Sequence, residues 1–111
     1  MKYNVKITVM KREYYQDLAD RFLARPETGK CSRFEEGQEF LVTQKNYGRF
    51  PYEHSFCPGA WDVIKIKVYA ALQGGDFYWN GWSKSQDELL LCCDDGVRPV
   101  VFLLERIPAE G

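Results

Sequence analysis

Residues 2–11 alternate, with Tyr3, Val5, Ile7 and Val9 on one side and Lys2, Asn4, Lys6 and Thr8 on the other. A period of two with one apolar face predicts a half-buried strand. The period then changes. Over 13–24, Tyr14, Tyr15, Leu18, Ala19, Phe22 and Leu23 share one stripe while Gln16, Asp17, Asp20 and Arg21 face away, which predicts an amphipathic helix. Pro26 and Gly29 end it and open a loop through Cys31. Glu36-Gly37 signals a turn, and 39–44 reads as a second strand with Phe40 and Val42 on one face.

Residues 46–55 carry a glycine, a proline and no apolar period, and predict a long irregular loop. Pro58 suits the first position of a helix, where its missing N–H costs nothing. Trp61, Ile64, Val68, Ala71 and Leu72 recur at helical spacing behind it, and Gly74-Gly75 supplies a left-handed cap. No period places 76–87, which holds several aromatics and an Asn80-Gly81 turn. The apolar runs 89–93 and 100–107 flank Asp94-Asp95-Gly96-Val97-Arg98-Pro99 and predict an antiparallel hairpin entered through a proline. The order is β-α-β-α-β-β: a single α+β domain over 1–111, its helices packed on one face of a mostly antiparallel sheet. Leu89–Leu91 and Val100–Leu104 are apolar without interruption, which predicts that the last hairpin is central and that 2–11 lies beside it.

Composition adds limits. The chain has 111 residues, 45% hydrophobic and 28% charged, which suits one globular core. Its net charge is -1 and its charges are scattered, so nucleic acid is not an expected partner. Lysines and an asparagine interrupt the apolar N-terminal stretch, as they would not in a signal peptide. No run approaches the roughly 20 apolar residues of a spanning helix. The expectation is a cytoplasmic chain whose four cysteines are free thiols, metal ligands or redox groups rather than structural disulfides.

Those cysteines, Cys31, Cys57, Cys92 and Cys93, form no C-x-x-C pair. If Pro58 opens the helix, Cys57 is its N-cap, where unpaired N–H groups and the helix dipole favour a thiolate. His54, three residues earlier, would serve as base or counter-ion. The plainer reading makes Cys57 a small apolar residue at a helix–sheet junction and His54 a solvated loop residue. Cys92 and Cys93 end a strand and must point to opposite faces. One of them, with Cys31, Cys57 and His54, would give a soft metal such as zinc a ligand set; alternatively both are strand core. Arg98 reads as an ion-pair partner of Asp95 or Glu105, or as an anion site. Glu35-Glu36 and Asp94-Asp95 are adjacent in sequence, which does not aim two acids at one substrate. No Ser-His-Asp set, Walker loop or G-x-G-x-x-G occurs.

Phe50, Tyr52, Phe56, Phe77, Tyr78, Trp79 and Trp82 cluster on either side of the second helix. With Trp61 and Arg98, such aromatics line a pocket or an interface, or they cover the core. Homodimerisation is the assembly form of the interface reading. Two function classes therefore stand: a cysteine-based metal or redox site, and a non-catalytic binding or assembly module.

Cys92-Cys93-Asp94-Asp95-Gly96-Val97-Arg98-Pro99-Val100-Val101-Phe102, closing with Glu105-Arg106-Ile107, resembles the C-terminal signature of a family of small uncharacterised bacterial and archaeal proteins. Phe56-Cys57 with Ala60-Trp61 and Gly74-Gly75 resembles that family's middle motif, and Gly37-Gln38-Glu39-Phe40 its early one. Ser32 stands where the family pattern has proline, and Gly59 where it has a bulkier residue. The resemblance implies that all four cysteines are pattern positions, and it implies no activity.

Overall fold

Val5, Ile7 and Val9 are fully buried, so the alternation of the first strand marks one face of a sheet. The computed structural model describes residues 2–109. In order it contains β1 (Tyr3–Arg12), α1 (Gln16–Phe22), β2 (Glu39–Val42), a 3-10 turn (Tyr47–Arg49), α2 (Phe50–Glu53), α3 (Pro58–Leu72), β3 (Glu88–Cys92) and β4 (Val100–Pro108). The strands form one antiparallel sheet in the order β2-β1-β4-β3. This is the expected α+β class.

One sheet face is the core. Val5, Ile7 and Val9 of β1, Val42 of β2, Leu89 of β3, and Val100, Phe102 and Leu104 of β4 meet Ala60, Trp61, Ile64, Val68, Ala71 and Leu72 of α3 there. The helical spacing read from the sequence is thus the packing face of α3. Gly74 closes that helix at φ +81°, and a Cβ there would stand 3.1 Å from the Tyr3 ring. Both conformation and space require glycine. Among the described residues no helix is long and apolar enough to cross a membrane.

Three expectations are corrected. The last hairpin is not central as a unit: β1 and β4 are the inner strands and β3 is an edge. Leu89 is buried, yet Leu90 is 56% exposed on the opposite face, so an unbroken apolar run does not here mean burial on both sides. Residues 46–55 are not irregular but wind through the 3-10 turn and α2, and they bury Phe50. Too short for an apolar period to show, they hide their helicity. The stripe of α1 buries only Ala19, and Phe22 is 69% exposed.

The 94–99 turn explains itself chemically. Asp95 Oδ1 accepts the N–H groups of Val97 (2.9 Å) and Arg98 (3.0 Å), while its Oδ2 accepts Arg98 Nε (3.2 Å). Burial pushes the Asp95 carboxyl up, but the Arg98 and Val97 N–H groups and the Arg98 guanidinium outweigh it. The carboxyl is therefore held below its ordinary value. A depressed folded value means stability that is present above the unfolded value, about 3.9, and is lost as pH falls through the folded one. Asp95→Asn should therefore have a lower urea midpoint than the parent at neutral pH. The gap should narrow as pH drops below about 4, and a gap independent of pH would remove the carboxylate from the account.

Candidate functional site

Pro58 at the first position of α3 leaves Cys57 as its N-cap, half-buried and making no side-chain cap bond. Asp94 closes over the same helix end. A Cβ on Gly59 would stand 3.5 and 3.8 Å from the two Asp94 carboxylate oxygens and 3.9 Å from Cys57 Sγ. A carboxylate at the first turn is stabilised by the positive end of the helix. The absent side chain of Gly59 gives it room.

The other cysteines follow the strand geometry. Cys93 packs toward the core and its Sγ accepts the Val100 N–H at 3.4 Å, whereas Cys92 is exposed. Cys31 is half-buried against the core, and its carbonyl accepts Arg12 Nη1 at 2.9 Å. His54 is exposed, and its ring lies 4.7 Å from Phe50 and 6.2 Å from Phe40. All four cysteines are free. Among the described residues no three His, Cys, Asp or Glu side chains gather where they could hold a metal ion. The ligand set drawn from Cys31, Cys57, Cys92 or Cys93 and His54 is not brought together. Arg98 is spent on Asp95.

The aromatics divide. Phe56 is 1% exposed and lies 5.0–6.1 Å, ring to ring, from Phe34, Phe40, Phe50, Trp61 and Phe102. Trp61 and Phe77, predicted as pocket or interface residues, are 7% and 4% exposed and belong to this core. Tyr52, Trp79 and Trp82 are instead 85%, 75% and 70% exposed.

Trp79 and Trp82 share the 76–87 loop, and Arg106 holds both of its ends. Its Nη1 donates to the Gly75 carbonyl at 2.6 Å, and its Nε and Nη2 donate to Asp87 Oδ1 at 3.1 and 3.0 Å. The Arg106 N–H also donates to the Asp87 carbonyl at 2.7 Å. The guanidinium lies 4.9 Å from the Tyr3 ring and 5.2 Å from Phe77, so cation–π contacts sandwich a side chain only 9% exposed. Nothing in the sequence announces this clamp, because its partners lie 19 and 31 residues away.

The clamped loop reaches both sides of the molecule. Trp79 lines a hollow of about 320 Å³ with Ile66, Lys67 and Ala70 of α3. Trp82 lines a groove of about 470 Å³ with Met10, Leu90 and Leu103 on the open sheet face. Met10 reaches that face where the β1–β4 register shifts between Val9 and Lys11. Leu90 and Leu103 are cross-strand partners on the face opposite the core. These three were missed as surface residues, and for Leu90 and Leu103 the signal was there: apolar residues at the even as well as the odd positions of the last hairpin. No family model, no curated protein and no solved structure matches this chain.

Proposed function

We propose that this chain is a non-catalytic binding and assembly module whose contact surface is the 76–87 loop with the open face of the sheet. One observation carries the reading: two tryptophans, three-quarters and 70% uncovered, stand on a loop tied at both ends by one arginine whose side chain is largely covered. Exposed indoles cost solvation and are enriched where proteins meet. A loop held at both ends loses little conformational freedom on binding. On the open sheet face the Trp82 ring joins Met10, Leu90 and Leu103 in an apolar groove, and exposed apolar surface of this kind marks interaction sites. The occupant whose chemistry is on the page is a second copy of the chain.

Trp79→Ala and Trp82→Ala should leave the urea midpoint nearly unchanged, since exposed side chains contribute within about 0.5 kcal/mol. Sedimentation equilibrium at micromolar concentration should show the parent self-associating and the double variant not. A parent monomeric throughout that range would overturn the assembly reading.

Thiol chemistry at Cys57 is the second reading, favoured by its place at the N-cap of α3. Iodoacetamide labelling of the native protein, read by peptide mass, tests it. Cys92 should react by exposure alone, and the reading requires Cys57 to react ahead of Cys31 and Cys93, which are equally half-buried. Labelling of Cys57 only after unfolding would end it.

A further inference from the structure

The two borders of the sheet are not alike. In β2 the groups that point away from β1 include the Leu41 carbonyl, and the Asn46 side chain covers it, donating through Nδ2 at 3.1 Å. The same amide's Oδ1 accepts the Thr43 N–H at 2.8 Å. The protein's own turn thus covers the end of that border at Leu41 and Thr43, one way of blunting an edge strand.

The β3 border has no such cover. Cys93 N donates to the Val100 carbonyl at 3.1 Å and Arg106 N to the Asp87 carbonyl at 2.7 Å. Hydrogen-bonded pairs alternate along an antiparallel ladder, so Leu89 and Leu91 turn their peptide groups to β4. Glu88, Leu90 and Cys92 turn theirs outward. Among the described residues only the Glu88 N–H has a partner, the Ser85 carbonyl at 3.4 Å, and no side chain reaches Leu90 or Cys92. The strand reads Glu-Leu-Leu-Leu-Cys, with no proline, no lysine and no register shift against β4. Glu88 is the one charged residue on this border, and the peptide groups of Leu90 and Cys92 are left open.

We infer that a second copy of the chain adds to β3 edge to edge, antiparallel, about a two-fold axis through Leu90. This rests on the assembly reading above and names its surface and register. The outward peptide groups allow only registers that pair even residues with even residues, and the centred one sets Leu90 opposite Leu90 and Glu88 opposite Cys92. No like charges meet. The pairing provides about four backbone bonds, two between the Leu90 residues and one from each Cys92 N–H to the Glu88 carbonyl of the other copy. Residues directly opposite share a face, so each Leu90 enters the groove lined by Met10, Trp82 and Leu103 of the other copy. On the helix side Leu89 meets Leu91. A stable interface takes about 800 Å² from each partner, more than a five-residue edge supplies. Trp82, beside the seam, furnishes the remainder and is the expected anchor.

The test uses the whole chain in sedimentation and in mild oxidation. Leu90→Lys and Leu90→Glu, at a position 56% exposed, should each fold and each weaken self-association by about tenfold or more, the two-fold axis setting like charges opposite one another. An equimolar mixture of the two should restore it. Leu90→Cys in a Cys92→Ser background should yield a covalent dimer on oxidation, as its thiols meet across the axis. If both charged variants associate as the parent does while Trp82→Ala does not, the edge pairing is wrong and the assembly reading stands. A parent that never associates overturns both.

Discussion

Phe56→Ala is expected to destabilise the fold by about 3–5 kcal/mol, the cost of replacing a buried phenylalanine by alanine where neighbours cannot collapse into the space. The neighbours here are Phe34, Phe40, Phe50, Trp61 and Phe102, contributed by one loop, β2, α2, α3 and β4. Rings anchored on so many elements cannot all move in together. Against a total stability of roughly 5–15 kcal/mol, the variant should show a urea midpoint lower by about 2 M at a typical slope. An unchanged midpoint would mean that the ring cluster is not what joins the helical layer to the sheet.

The second large effect belongs to Arg106. Arg106→Met keeps the apolar stem between Tyr3 and Phe77 but removes the donors to Gly75 and Asp87. Asp87 is 60% exposed, so its ion pair is screened and contributes little by itself. Leaving the Gly75 carbonyl without its charged donor matters more, and together the losses should cost about 2 kcal/mol. The distinguishing readout is local: limited proteolysis should cut within 76–87 in the variant and not in the parent. Arg106→Lys should not rescue it, because one ammonium cannot reproduce the fork that reaches both ends of the loop. Protection of that segment in Arg106→Met would show that something other than the guanidinium holds it.

Much of the fold was legible because it is written in short-range periods. The alternation of β1, the spacing of Trp61, Ile64 and Val68 in α3, the proline and glycine that bound that helix, and the opposite facing of Cys92 and Cys93 all came through. What failed had a common cause. Hydrophobicity reports the preference of a residue for burial and not which neighbour satisfies it. Leu90 looked like core and is surface, and Phe22 looked like a packing residue and is 69% exposed. In the candidate site, Trp79 and Trp82 were singled out from sequence, while Trp61 and Phe77 could not be told apart from them, because identical residue types serve core and surface alike. Arg106 was invisible because its partners are distant along the chain.

The covered border at β2 has a consequence for size. A sheet open on both sides can acquire neighbours without end, each newcomer presenting a fresh template, and such growth leads to fibres. Asn46 works against that series by occupying the Leu41 carbonyl and the Thr43 N–H. With the end of one side occupied by an amide and the other side consumed in pairing, two chains would form an object of eight strands with less edge left to recruit a third. One asparagine side chain would then favour a finite particle over a polymer.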